Sequence, residues 1–149
     1  MIDYTVQIDA PAEIVFSMLV DADLLTEWMA REAVVDPRPG GEFRWVYENG
    51  DVVRGRILEM DAPSRLLLTY GWERPAARGI PPESTTVEIT LVDSGGGTLL
   101  RLVHRGLPRA EIESHQVGWQ FFLARLSMAL EATPAATLST GTKTGAADG

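Results

Sequence analysis

Residues 2–9 alternate without a break: Ile2, Tyr4, Val6 and Ile8 face one way, Asp3, Thr5, Gln7 and Asp9 the other. A period of two sends successive side chains to opposite faces, so this segment reads as a half-buried strand. The apolar positions then change to helical spacing. Asp9-Ala10-Pro11-Ala12-Glu13 sets an acceptor side chain beside a helix start, with Pro in the first turn. Residues 11–20 carry Ile14, Val15, Met18 and Leu19 on one face, and a second short helix over 21–29 carries Leu24, Leu25 and Trp28. Alternation returns briefly at 32–36 and again at 42–48, where Phe43, Trp45 and Tyr47 oppose Glu42, Arg44, Val46 and Glu48. Asn49-Gly50 is a hairpin signal, because both residue types tolerate positive φ. Four more strands follow. Residues 51–60 form the first; Leu66, Leu68, Tyr70 and Trp72 are in phase over 65–73. Val87, Ile89 and Leu91 are in phase over 83–92, and Leu100, Leu102 and His104 over 98–105. Breaks rich in Pro, Gly and Ser separate them.

The last pattern is the longest. At about 100° per residue, residues 111–132 place Ile112, Trp119, Leu123, Leu126 and Leu130 on one stripe. Glu113, Gln116, Gln120, Ser127 and Glu131 make a narrow polar strip, and a flank of Gly118, Phe121, Phe122 and Ala129 carries one charge, Arg125. So wide an apolar arc predicts a helix wrapped on most sides by the rest of the protein. Hairpin-linked strands with helices towards the sequence ends predict an α+β fold, an antiparallel sheet with the long helix on its concave side. Residues 133–149 are small and polar and are expected to be a disordered tail, which leaves one domain over 1–132.

Charge and composition narrow the function classes. The chain of 149 residues suits a single core. A net charge of −8 argues against nucleic acid, whose phosphates need a basic footprint. With no Cys there is no disulfide, thiolate nucleophile or Cys-bound metal, which fits a reducing cytoplasm. The start of the chain has neither a signal-peptide nor a transit-peptide pattern, and no apolar run reaches membrane-spanning length. Two histidines without a His-x-x-x-His or Glu-x-x-His pair predict no metal site, and no cofactor is expected.

Five segments, read in order, carry a resemblance: PAEIVFSMLVDADLLTEWM, GGEFRWV, VVRGRILEMDAPSRLLLTYGWE, TTVEITL with GGGTLLRLVHRGLP, and HQVGWQFFLARLSMAL. Together they resemble the homologues of the heat-shock-protein-90 ATPase activator, a branch of the START-like (SRPBCC, Bet v 1-like) superfamily, over roughly residues 1–132. The resemblance implies a helix-grip fold, with a curved antiparallel sheet wrapped around the C-terminal helix, a cavity between them and two short helices after the first strand. Members of the superfamily include lipid carriers, hormone receptors, polyketide cyclases, co-chaperone modules and many bacterial proteins, so fold alone says less about function. The expectation is a bacterial, cytoplasmic protein that binds a small apolar or amphipathic molecule, with no nucleic-acid or membrane partner. Two alternatives stand beside it. One is a cyclase, hydrolase or dehydratase using His104 with Tyr70 or Glu59; the other is a co-chaperone-like module with a homodimer or chaperone partner.

The candidate ligand-binding residues are Trp45, Tyr70, Trp72, His104, Phe122 and Arg125. Aromatic walls with a few polar tips suit a small apolar molecule, and the same rings equally suit a packed core. His104 is in phase with Leu100 and Leu102, and reads either as a satisfied core histidine or as a cavity acid, base or hydrogen-bonder. His115, in the first turns of the long helix, reads as a capping or packing residue. Arg125 either holds a ligand oxygen or snorkels to the surface along its own stem. The strand over 51–60 allows two phases. With Val53, Gly55 and Ile57 inward, Glu59 follows them and Arg54 and Arg56 face solvent. With Leu58 and Met60 inward, both arginines enter the interior, a costly arrangement without partners.

Overall fold

In a computed structural model describing residues 1–73 and 79–131, the first alternating segment is strand β1 (Ile2–Ile8). Helices α1 (Ala12–Val20) and α2 (Ala22–Leu25) follow, then β2 (Glu32–Val35), β3 (Glu42–Val46), β4 (Val52–Asp61), β5 (Arg65–Tyr70), β6 (Thr85–Ser94) and β7 (Gly97–Arg105). Helix α3 (Arg109–Glu131) ends the described chain. The expected tail over 133–149 lies outside the described residues, as do Ala132 and residues 74–78 of the basic loop. The strands form one antiparallel sheet in the order β1-β7-β6-β5-β4-β3-β2, and all three helices bury residues in a common core on one of its faces. This is the helix-grip arrangement.

The two short helices start differently. Asp9 does not cap α1, whose N-cap is Pro11 in an extended conformation with no side-chain bond. Asp21 does cap α2, its Oδ1 accepting from the backbone N–H groups of Asp23 (2.9 Å) and Leu24 (3.1 Å). The turn after α2 then buries Trp28, whose indole N–H donates to the Met18 carbonyl at 2.9 Å.

The ambiguous strand takes both phases. Val53, Gly55 and Ile57 point inward, but Ile57 pairs with Leu68 while Glu59 pairs with Leu67 and Met60 with Leu66. One residue too many stands between those pairs, so a β-bulge at Leu58 reverses the alternation and bends the strand. Met60 then packs on the core, and Glu59 reaches solvent and pairs with Arg65, rather than following Ile57 inward. Arg54 and Arg56 lie on the outer face. There Arg44 and Arg54 sit directly opposite each other, a repulsive pair that Glu73 bridges at 3.0 and 3.3 Å. Asp3–Arg101 and Arg65–Glu88–Arg105 continue the ion pairs across the sheet. Most of these contacts are solvent-exposed and contribute little each, but they keep this face polar.

Helix α3 is not wrapped on most sides. Only His115, Trp119, Leu123, Leu126 and Leu130 are buried, whereas Val117, Phe121 and Met128 are each about 60% exposed. One sheet face can cover one stripe of a helix, and no element lies over the opposite flank among the described residues. Under the buried stripe, Trp28, Trp45, Leu68 and Trp119 close around a void of only about 10 Å³. At this end of the helix–sheet space, side chains fill the interior.

Candidate functional site

The other end is open. A cavity of about 480 Å³ lies between α3, the hairpin joining β3 to β4, and the turn after α2. The hairpin is held by its own polar groups: Tyr47 N–H donates to the Asp51 carbonyl and Asp51 N–H to the Asn49 Oδ1, each at 2.9 Å. Gly50 alone takes the positive φ, at 89°. This loop brings Tyr47 over the cavity, where its ring stacks on Phe122 (centroids 5.3 Å, planes 18° apart) and tilts against Trp72 at 5.6 Å. Tyr70 and Trp72 form the deeper wall, and Thr26, Met29 and Ala30 form the side facing the α2 turn. The helix contributes Ser114, Gly118 and Arg125 with the rings of His115, Trp119, Phe121 and Phe122, while Glu48, Asn49 and Asp51 give the mouth a polar rim.

Two histidines tie the helix to the sheet behind this wall. Trp119 Nε1–H donates to His104 Nδ1 at 3.0 Å, so His104 carries its proton on Nε2 and donates to Thr85 Oγ1 at 2.9 Å; Thr85 donates in turn to the Tyr70 carbonyl at 2.8 Å. Trp72 Nε1–H donates to His115 Nε2 at 3.2 Å, which places the second proton on His115 Nδ1, directed at the Glu111 carbonyl at 2.9 Å. Both imidazoles are therefore neutral tautomers selected by their partners. The Tyr70 ring packs edge-on against both, at 4.7 and 6.0 Å.

The family described as "Activator of Hsp90 ATPase homolog 1-like protein" matches residues 9–131, most of the chain. This chain belongs to that family. Among curated proteins, none matches. Among solved structures, CalU16 from Micromonospora echinospora is 29% identical, with a TM-score of 0.72 over 87% of this chain and 75% of that one. DynU16, from the dynemicin biosynthetic locus, is 24% identical with a TM-score of 0.75 over 88% of this chain. This chain spans about half, 47%, of DynU16. The Aha1 dimer from Colwellia psychrerythraea shares 18% identity and a TM-score of 0.75, covering 88% of this chain and 96% of its own. These matches agree with the START-like fold described above.

Within this member of the Hsp90-activator-like family, four of the six candidate residues meet at the cavity: Tyr70, Trp72, Phe122 and Arg125. Trp45 and His104 do not line it. Trp45 turns towards the packed end, against Phe43 at 4.6 Å, and its indole N–H has no partner among the described residues. His104 is fully buried between Trp119, Thr85 and Tyr70, with both ring nitrogens engaged. Arg125 stands at the rim, where its Nε–H donates to the Trp28 carbonyl at 2.8 Å and its guanidinium lies 5.7 Å from the Phe121 ring centre. It fastens α3 to the α2 turn while its head stays at the cavity edge.

The six candidates leave out Tyr47, His115 and Gly118, which also line the cavity. His115 lies four residues before Trp119 and completes the buried stripe, packing there as its position in the first turns of the helix suggests. No cluster of metal-ligating side chains occurs among the described residues. Nor is any described helix long and apolar enough to cross a membrane.

His104 makes stability depend on pH. Burial, with the neighbouring His115 adding to it, pushes its pKa down from 6.5 to about 3. Below pH 6.5 the unfolded chain therefore takes up a proton that the folded chain refuses, so this residue makes stability fall as pH drops from 6.5 towards 3 and leaves it flat above. Glu73, held low by the Arg44 hydrogen bond, and Glu88, held low by Arg105 and Arg65, act in the same direction. Their contribution is complete above the ordinary carboxylate value of 4.5 and is lost only below it. His104→Phe leaves the buried Trp119 N–H without an acceptor and is expected to cost about 1–3 kcal/mol at pH 7. Because only the wild type carries this histidine's acid penalty, the difference should narrow between pH 7 and pH 5 in urea titrations. A constant difference would show that His104 titrates alike in both states.

Proposed function

We propose that this protein binds a small, mostly apolar or amphipathic molecule in the cavity between α3, the β3–β4 hairpin and the α2 turn. The observation that carries this reading is the cavity itself. Its volume of about 480 Å³ is within the ordinary range for small-molecule sites, and its aromatic walls meet a few polar groups at one edge. The fold has packed the other end of the same helix–sheet space with side chains, so the opening at this end is local. Membership of a START-like family supports the reading at the level of fold.

Native mass spectrometry of protein purified directly from cells is expected to show a non-covalent adduct that leaves on denaturation. Bare protein that also takes up no amphipathic probe in calorimetry would count against the proposal. For an anionic probe such as a long-chain fatty acid, Arg125→Met should weaken binding about tenfold, since a charge-assisted hydrogen bond contributes roughly 1.5–3 kcal/mol. Unchanged affinity with reduced stability would leave Arg125 as a tie to the Trp28 carbonyl and nothing more.

One observation favours a second reading, a protein-interaction module. Val117, Phe121 and Met128 expose an apolar ridge along the outer flank of α3, and such ridges mark contact surfaces. Phe121 also lines the cavity, so the separating test changes only Val117 and Met128: polar substitution of these two should leave small-molecule binding intact and abolish any partner contact.

A further inference from the structure

Eleven described glycines divide by the reason for having no side chain. Six have positive φ: Gly40, Gly50, Gly79, Gly95, Gly96 and Gly106. At four others a Cβ would collide with backbone: at Gly41 with the Asp36 carbonyl oxygen (2.0 Å), at Gly55 with that of Thr69 (2.1 Å), at Gly71 with that of Pro81 (1.8 Å) and at Gly97 with that of Ile8 (2.5 Å). Gly118 has neither reason. Its φ is outside the left-handed region and a Cβ there would meet nothing within 4 Å. It nevertheless interrupts the interior of the longest helix, where glycine is unfavourable because it loses the most conformational freedom on folding. The space that a side chain would enter is the cavity.

We infer that the bound molecule lies across α3 at Gly118, with a flat apolar ring system against the helix backbone, and that Gly118 sets the size of ligand the cavity accepts. This deepens the binding proposal above and rests on it. The geometry of the opposite wall specifies flatness. Tyr47 and Trp72 present rings from the sheet side, and the helix side is low only along Ser114 and Gly118, between the rings of His115 and Phe122. Between the sheet-side rings and this strip of helix, with aromatic rings on either flank, the space is a slot. A planar molecule fills a slot on both faces at once, whereas a flexible chain must give up more conformational freedom to do so.

The test uses the full chain and two probes, 2-naphthol for the flat ring and decanoate for the chain, titrated by the fluorescence of the native tryptophans. Gly118→Leu should bind 2-naphthol at least tenfold more weakly than wild type. Its melting temperature should be equal or higher, because Leu is the better helix former and its Cβ has room. Gln120→Leu, an exposed change on the same helix outside the cavity, should bind as wild type does. Should Gly118→Leu fold poorly, Gly118→Ala, whose single methyl meets nothing, is expected to keep the fold and lose a smaller part of the affinity. Wild-type affinity in a folded Gly118→Leu or Gly118→Ala would overturn the assignment of Gly118 while leaving the cavity a binding site. Tighter binding of decanoate than of 2-naphthol to wild type would overturn the ring class. A wild type that takes neither probe removes the binding proposal and this one with it.

Discussion

Trp119→Ala is expected to cost about 3–5 kcal/mol, the range for large aromatic side chains removed from a core. Trp119 is 5% exposed, packs against Tyr70 at 5.8 Å and donates its indole N–H to His104. Three losses coincide in the variant: apolar burial, a cavity opening onto the void of about 10 Å³ beside it, and a buried imidazole nitrogen with no donor. The third should make the cost exceed that of Leu123→Ala, which removes apolar contact alone from the same stripe. Urea denaturation of the two variants measures the difference. A loss below about 1 kcal/mol for Trp119→Ala would mean that the ring stands against open space.

Gly55→Ala is expected to destabilise by about 3 kcal/mol or more, although it adds a single methyl group. The added Cβ would sit 2.1 Å from the Thr69 carbonyl oxygen and 2.8 Å from the Phe43 ring. Overpacking typically costs about 1–3 kcal/mol when flexible side chains can yield. Here the nearest atom is backbone of β5, which is held in register with β6 from Arg65–Thr90 to Tyr70–Thr85. Relief therefore requires β4 and β5 to separate, and the walls carried by Tyr70 and Trp72 should loosen with them. Thermal melting and near-ultraviolet circular dichroism report both effects. A variant as stable as wild type would show that β4 can move away from β5 at little cost.

The elements of this fold were legible because each rests on local rules. Alternation along β1, β5 and β6, the hairpin signal at Asn49-Gly50 and the 3.6-residue repeat of Trp119, Leu123, Leu126 and Leu130 all express backbone geometry acting over a few residues. The family resemblance added the helix-grip arrangement. The site was half legible: Tyr70, Trp72, Phe122 and Arg125 meet at the cavity, but Trp45 and His104, equally in phase, do not. Phase tells which face of an element a side chain leaves from. It does not tell how far along the helix–sheet space that side chain stands.

The chain by itself determined where strands, turns and the long helix form, the inward faces of most of them, and the polar outer face of the sheet. Only the tertiary structure decided three further matters. The bulge at Leu58 reverses β4 because its pairing with β5, a contact between separate strands, takes one residue more on one side than on the other. His115 turns inward because Trp72, distant in sequence, supplies the hydrogen bond that makes a buried imidazole tolerable. The space beside α3 is closed at Trp45 and open at Gly118 because packing depends on the sum of side-chain volumes contributed by four or five elements at one place, and no local pattern records that sum.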